Sequence, residues 1–330
     1  MADNGSLPVV DLSLADGAEL QLQVLAAARE TGVFHVIGHG VPHALSAGVL
    51  GMARRLFALP PAPLREIENL HSPQFRGYSR LGGEQTDGLP DWREQFDVGP
   101  ERLPRTLGAD DPPYLRLIGP NQWPAALPEL RTVTLAWQAT VQDVGQRLMR
   151  LIAGGLGQGT DYFDRWFDDE AAWFLKLLHY PGRHAGEAGA GIGPHRDYGY
   201  LGLLQQDGIS GLQVRTRAGE WAEASSRPDT LLIVVGEMLE IASDGYLTAA
   251  EHRVVSPPPG TDRYAAAFFL SPRLDAVVEP MPLPPRFATS AGGVGRAPDN
   301  PLPAAYGENA LRGWLRSHPH VVERWWSDVR

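Results

Sequence analysis

The chain has 330 residues, a formal net charge of −10, 43% hydrophobic residues and no cysteine. The lack of cysteine excludes disulfides, iron–sulfur clusters, thiolate zinc sites and cysteine nucleophiles. The acidic balance disfavours a nucleic-acid partner. No apolar run approaches the roughly 20 residues that span a bilayer, and the first six residues lack the features of a secretory signal. We therefore expect a cytoplasmic protein with no membrane partner, and a monomer, because no long apolar stripe stands out.

The first half of the chain reads as mainly helical. Apolar periodicity predicts a strand at residues 7–12, a helix at 18–31, a strand at 33–37 and a second helix that ends near Phe57. Apolar residues then recur at helical spacing over residues 127–155, which predicts one long helix with a break or two.

The pattern changes near Trp173, where short β-type runs alternate with Gly, Pro and Asp turns. Strands are predicted at residues 174–180, 200–205, 211–214, 230–235, 251–256 and 263–270, and helices at 309–317 and 320–328. Many short strands at this spacing favour a closed or sandwiched β core with flanking helices. We expect one unit, 1–330, with a mostly helical region at 1–172, a β core at 173–275 and a helical segment at 276–330.

The densest group of metal-ligand side chains is His195-Arg196-Asp197. If this segment is a strand, His195 and Asp197 face the same side and Arg196 points away. A third ligand can come from His252 on a later strand. Two histidines and one carboxylate leave coordination positions open, as in non-haem iron(II) oxygenases. Each piece alone also fits a structural histidine or a turn aspartate.

Arg263 begins the apolar run that ends at Leu270, eleven positions after His252. A buried arginine is costly without an anionic partner. A co-substrate with a remote carboxylate would supply a bidentate, charge-assisted pair. A structural salt bridge at the end of the strand is the alternative.

These residues resemble the 2-oxoglutarate- and Fe(II)-dependent dioxygenases, in the branch typified by isopenicillin N synthase. The likeness extends from Leu7 to about Trp325. Residues 32–41 are similar to the family's GFF-V-NHG segment, and residues 91–97 to a segment of its microbial members. Residues 236–241 resemble the GD-LE strand that precedes the second histidine. The resemblance implies a double-stranded β-helix, that is, a jelly-roll or cupin-like core.

The resemblance also implies roles by position. His195, Asp197 and His252 would bind Fe(II), Arg263 would pair with the distal carboxylate of 2-oxoglutarate, and Tyr180 would contact this co-substrate. In two departures, the usual serine after the arginine is Ala265 and the usual asparagine before the tyrosine is Leu178. Isopenicillin N synthase itself uses no 2-oxoglutarate, so the co-substrate does not follow from membership alone.

The implied reaction consumes O₂ and 2-oxoglutarate, releases succinate and CO₂, and hydroxylates a small secondary metabolite or amino-acid-like substrate. Candidate substrate contacts are His179, Arg76, Tyr78 and Phe269. Within the family, an oxidative cyclase, a desaturase and an ethylene-forming enzyme remain alternatives. Outside it, the alternatives are an iron-free jelly-roll binding module and a metal-dependent hydrolase or isomerase.

Overall fold

The computed structural model describes residues 7–184, 190–294 and 303–329. The six N-terminal residues, on which the expectation about a secretory signal depends, lie outside this part. Among the described residues, no helix has both the length and the apolar character that a membrane span requires.

Within these residues, the strands are short and most of them follow Trp173. Their bounds are β1 Val9–Asp11, β2 Val33–Ile37, β3 Gly77–Ser79, β4 Gln85–Thr86, β5 Leu89–Pro90, β6 Glu94–Val98, β7 Phe174–Tyr180, β8 Ile192–His195, β9 Leu201–Gln206, β10 Leu212–Arg215, β11 Trp221–Glu223, β12 Leu231–Val235, β13 His252–Val254 and β14 Arg263–Leu270. The helices are α1 Ala18–Thr31, α2 His43–Phe57, α3 Pro61–Glu66, α4 Glu129–Gly155, α5 Glu237–Ala242, α6 Pro285–Ala288, α7 Tyr306–Ser317 and α8 Pro319–Trp325.

Two sheets form the core. The larger has eight strands in the order β1-β2-β12-β9-β14-β7-β6-β3, and the smaller has four in the order β11-β10-β13-β8. All neighbours in both sheets are antiparallel except β1 and β2. The strands of the first half, β1, β2, β3 and β6, lie at the two edges of the larger sheet. The predicted jelly-roll core with flanking helices is confirmed.

The larger sheet separates the helices from the cavity between the sheets. Because side chains alternate along a strand, Leu175 and Leu177 of β7 and Phe268 of β14 face the helical side, where α2 and α4 contact these strands. α4 comes close at Gly145, where an added Cβ would lie 3.2 Å from Leu270 Cδ2. The helices thus cover one face of the sheet and leave the other for the site.

The residue that ends the first helix is a glycine, because a side chain at this position would be strained. Gly32 closes α1 with φ = 73°, in the left-handed region, and an added Cβ would lie 2.8 Å from the carbonyl oxygen of Thr248. The chain can therefore turn at once into β2, which pairs with β12 in the larger sheet.

Two predictions about elements were wrong. The long helix α4 runs from Glu129 to Gly155 without a break. Residues 236–241, expected as a strand, instead form the start of α5. Gly236 is extended at the N-cap, and Glu237 and Glu240 lie in the first turn, where acidic side chains interact favourably with the helix dipole.

Candidate active site

Two histidines lie opposite each other on neighbouring strands of the smaller sheet. β8 and β13 pair so that His195 is directly across from His252, and the centroids of the two rings are 4.2 Å apart. Asp197 was expected on the same strand as His195, but it lies two residues past the end of β8. It nevertheless points to the same place, because its Oδ1 is 3.8 Å from Nε2 of both histidines.

Backbone carbonyls orient both imidazole rings. Nδ1 of His195 donates a hydrogen bond to the carbonyl oxygen of Gly193 at 2.9 Å, and Nδ1 of His252 donates to that of Ala250 at 3.0 Å. A carbonyl oxygen can only accept, so Nδ1 of each ring carries a proton. The lone pair of each Nε2 is therefore left to bind a metal.

The three donor atoms fit a metal ion. His195 Nε2, Asp197 Oδ1 and His252 Nε2 all lie within 4.8 Å of one another. Donors that share a metal at about 2.1 Å lie at most about 4.2 Å apart, and the 3.8 Å separations from Asp197 satisfy that limit. The second oxygen of Asp197 is buried without a hydrogen-bond partner, as expected of a carboxylate that a cation would complete.

The protonation states suit metal binding. Burial and the neighbouring His252 hold the pKa of His195 well below its usual range, so this ring is neutral. Burial raises the pKa of Asp197, against the opposing effect of His252 and the cations nearby. A bound cation would offset the cost of this buried carboxylate.

A cavity of about 250 Å³ opens between the two sheets beside the three donors. Alternate residues of β7 and β14 line it, and the residues between them point to the helical side. The lining residues of these two strands are Phe174, Lys176, Leu178, Tyr180, Arg263, Ala265, Ala267 and Phe269. Leu204, Ile192, Leu212 and Val254 make the wall near Arg263 apolar.

Arg263 lies in this wall with its side chain fixed but its charge unpaired. The residue is 1% exposed. Its Nε donates to the carbonyl oxygen of Ile209 at 3.2 Å and its Nη2 to Gln206 Oε1 at 2.9 Å. Its guanidinium lies 5.1 Å from the ring of Tyr180. No carboxylate among the described residues pairs with it, so the structural salt bridge considered as an alternative is absent from that part of the chain.

The opposite side of the cavity carries a buried ionic network. Lys176 Nζ lies 2.7 Å from Asp97 Oδ1 and 3.3 Å from Glu84 Oε1, and Arg93 also pairs with Glu84. Burial opposes ionisation of Glu84, but Lys176, His318 and Arg93 outweigh it and hold the pKa of Glu84 well below its usual range. Glu84, Asp97 and His318 have metal-like spacing. The two carboxylates of this cluster already pair with Lys176 and Arg93.

The structure brings some of the predicted substrate contacts to the cavity and leaves others outside it. Phe269 lines the cavity, as does Tyr180. His179 is on the opposite face of β7, where it bonds Glu94 at 2.8 Å and stacks on Tyr264. Tyr78 also bonds Glu94. Arg76 lines a separate, smaller cavity.

Sequence reasoning missed several residues of the cavity, among them Lys176 and Trp314. Lys176 is the one charged residue within the apolar run of β7, and its alternation with Phe174 and Leu178 could have placed it inside the barrel. Trp314 comes from α7, and its ring lies 4.8 Å from Lys176 Nζ. No local pattern indicates that a helix so far along the chain returns to the mouth of the cavity.

Comparison with known families covers most of the chain. The family described as non-haem dioxygenase in morphine synthesis N-terminal matches residues 7–126, and the 2OG-Fe(II) oxygenase superfamily matches residues 174–272. The 2-oxoglutarate-dependent dioxygenase frbJ of Dothideomycetidae sp. (strain 11243) is 34% identical over 97% of this chain and 92% of its own. Homoarginine-6-hydroxylase 2-ODD-C23.1 of Arabidopsis thaliana is 33% identical over 84% and 88%.

Solved structures share the fold. A full-length Neurospora crassa protein, solved in complex with alpha-KG and thymine, superposes with a TM-score of 0.75 at 24% identity, over 95% of this chain and 98% of that one. A 2OG-Fe(II) oxygenase family protein from Caulobacter crescentus gives 0.75 at 25% identity, over 94% and 99%.

The jelly roll, the three converging donors and these matches define an iron-dependent oxygenase. The chain belongs to the 2OG-Fe(II) oxygenase superfamily. It is a 2-oxoglutarate-dependent dioxygenase that uses Fe(II), 2-oxoglutarate and O₂ and acts on a small molecule. The binding-module and hydrolase alternatives are thereby excluded.

Proposed function

We propose that His195, Asp197 and His252 hold the Fe(II) of a hydroxylase whose substrate is a small amino-acid-like compound. The observation that supports this assignment most directly is the convergence of Nε2, Oδ1 and Nε2, with both rings fixed through Nδ1. Bound iron, with 2-oxoglutarate and O₂, supplies the oxidising chemistry. The protein's own residues fix the ligands, exclude water and aim the substrate.

The remote carboxylate of 2-oxoglutarate binds Arg263 in this proposal. Gln206 and Ile209 hold the guanidinium and leave its Nη1 without a hydrogen bond among the described residues. A carboxylate there would form a charge-assisted pair in a buried, apolar setting. Ala265, which replaces the usual serine, removes one hydrogen bond to the carboxylate. Gln206 lies opposite Ala265 on β9 and compensates by fixing Arg263.

The substrate occupies the half of the cavity that faces the ionic network. Glu84, Asp87 and Asp91 line this half together with Arg93 and Lys176. Charges of both signs suit a polar substrate that itself carries both, as an amino acid does. The Arabidopsis relative named for homoarginine hydroxylation agrees with this substrate class.

The first experiment is an anaerobic titration of the Fe(II)-loaded protein with 2-oxoglutarate, followed by the weak visible band of the Fe(II)–keto-acid chelate. We expect the band in the wild type and its loss in Arg263→Ala at the same concentration. Arg253→Ala, which removes a half-buried arginine of β13 in the smaller sheet, is the control. Iron binding without any band would contradict the proposed co-substrate site and favour an oxidase that takes all its electrons from substrate.

Substrate class is tested by turnover of an amino-acid panel that begins with homoarginine. If the enzyme hydroxylates a member of the panel, O₂-dependent succinate formation should be faster with that substrate than without it. The product should carry one added oxygen atom. A product that has lost two hydrogen atoms instead would favour the desaturase or cyclase alternative.

We also propose a monomeric, cytoplasmic enzyme of secondary metabolism. The lack of cysteine suits a reducing compartment, and the large exposed apolar residues are scattered along the chain. Size-exclusion chromatography with light scattering tests the monomer, since a dimer would give twice the mass of 35.9 kDa.

A further inference from the structure

Arg76 is a buried arginine whose side chain has no partner among the described residues. It is 7% exposed, and its Nε has no hydrogen bond. Its backbone is held firmly, because its N–H donates to Ser72 Oγ at 3.2 Å and its carbonyl oxygen accepts from Gln122 Nε2 at 2.6 Å. The guanidinium itself makes no ion pair within the described ranges. The chain therefore fixes the position of a cation that nothing in that part of the molecule neutralises.

This cation stays charged at neutral pH. Burial lowers the pKa of Arg76 to about 10, which is still well above 7. Asp97 is the carboxylate that most favours the charge of Arg76. Asp97 is already engaged, however, with Lys176 Nζ at 2.7 Å and Gln95 Nε2 at 2.6 Å. Burial of a charge without an ion-pair partner is costly, so a partner from solution is expected.

The guanidinium lines a small cavity of about 30 Å³. Arg102 lines the same cavity, and it donates to the backbone carbonyl oxygens of Asp169, Glu170 and Ala171 but to no carboxylate in the described chain. Tyr306 is the other polar lining residue, and no lining residue is acidic. A cavity of this size has room for a water molecule or a monatomic ion.

We propose that this cavity binds a chloride ion between Arg76, Arg102 and Tyr306. A water molecule could accept a hydrogen bond from Arg76, but it would leave the buried positive charge unbalanced. Phe174 and Trp314 line both this cavity and the main one, so they form the wall between the anion and the substrate space. The anion would thus link Tyr306 of α7 to Arg76 and Arg102 beside the active-site cavity.

The test compares melting temperatures in sodium chloride and sodium gluconate at matched ionic strength. Full-length protein is used with Fe(II) and saturating 2-oxoglutarate under anaerobic conditions, so that Arg263 is already occupied. At chloride about tenfold above its Kd, we expect a Tm about 2 °C higher than in gluconate. The rise should vanish in Arg76→Met and persist in Arg286→Met, which changes an exposed arginine.

A second measurement keeps the test decisive if Arg76→Met alters the fold. Crystals of the wild type grown in bromide should show an anomalous peak in the Arg76 cavity. In gluconate, Arg76→Met should melt at or above the wild-type temperature, because it removes an unpaired buried charge. Ordered water in the cavity of the bromide crystal, or a chloride effect that survives in Arg76→Met, would overturn the proposal.

The chloride proposal and the 2-oxoglutarate assignment can fail separately. In Arg263→Gln without 2-oxoglutarate, the chloride effect should remain, since Arg76 is untouched. Loss of the effect in Arg263→Gln alone would place the anion at Arg263 and would contradict the Arg76 site.

Discussion

At the scale of single residues, the hydrogen bonds that each polar side chain makes within the protein determine which of its atoms remain available to a ligand. His195 and His252 use Nδ1 to bond backbone carbonyls, which leaves Nε2 for the proposed metal. Arg263 donates from Nε and Nη2 to the uncharged oxygens of Ile209 and Gln206. Its positive charge therefore has no carboxylate partner among the described residues. In the ionic network, by contrast, Lys176 and Glu84 neutralise each other. The groups proposed to bind the metal and 2-oxoglutarate are therefore those whose bonding within the protein is incomplete.

Replacement of Arg263 by lysine tests the value of its planar geometry. Lysine retains the charge but cannot form a bidentate pair, and it would also lose the bonds that fix it to Gln206 and Ile209. The loss of one charge-assisted hydrogen bond, about 1.5–3 kcal/mol, raises the KM for 2-oxoglutarate roughly 10- to 150-fold. Fe(II) affinity should not change. Steady-state kinetics against 2-oxoglutarate measures this, with Arg253→Lys as control. Equal KM values in the two variants would argue against the assigned contact.

His35 predicts a specific acid sensitivity. Burial, with a contribution from Arg227, lowers the pKa of His35 to about 4, below the unfolded value near 6.5. Between these two values the unfolded chain binds a proton that the folded chain does not, so stability falls as pH drops from about 6.5 to about 4. The melting temperature of His35→Gln should therefore fall less between pH 7 and pH 5 than that of the wild type. His43→Gln, at an exposed histidine, should behave like the wild type.

At the scale of elements, alternation was enough to place β7 and β14, the two strands that line most of one wall of the cavity, but β8, which carries His195, was not among the predicted strands. β7 and β14 have the predicted bounds, and the even positions of one and the odd positions of the other face the cavity. The helix at residues 237–242 was missed because a short apolar run has no period that separates a strand from a helix. The position of Asp197 beyond β8 was missed because strand ends depend on pairing with a distant partner, here β13.

Two glycines in helices should respond to substitution with opposite signs. An added Cβ at Gly51 in α2 meets nothing within 4 Å, so Gly51→Ala should stabilise the protein by about 0.5–1 kcal/mol. An added Cβ at Gly145 in α4 would lie 3.2 Å from Leu270 and 3.3 Å from Leu203. Gly145→Val should therefore destabilise by about 1–3 kcal/mol through overpacking. Chemical denaturation measures both. A stabilising Gly145→Val would contradict the close packing of α4 on the sheet.

At the scale of the whole molecule, the site depends on contacts between segments far apart in sequence. The ionic network joins Glu84 and Asp97 from the first half to Lys176 of the core and to His318 near the end of the chain. Phe75 stacks on Trp314 and Trp326, which fixes α7 and the end of α8 over the cavity. Such contacts leave no local pattern, which is why the three proposed metal ligands could be picked out from the sequence and the residues around the ionic network could not.

Metal binding should stabilise the whole chain through Asp197. A ligand that binds only the folded state stabilises it by about 2.7 kcal/mol at 100 times its Kd, which for a chain of this size corresponds to about 4 °C in Tm. Without metal, the Asp197 carboxylate is a buried charge with one unpaired oxygen. Asp197→Asn should therefore melt at or above the wild-type temperature without metal, because the amide removes that charge. Asp197→Asn should show almost none of the rise in Tm on anaerobic addition of Fe(II).

Asp275→Asn, which changes an exposed aspartate, is the control and should retain the full rise in Tm. A wild-type rise that survived in Asp197→Asn would mean that the metal binds elsewhere, and the buried cluster of Glu84, Asp97 and His318 would then be the first place to look.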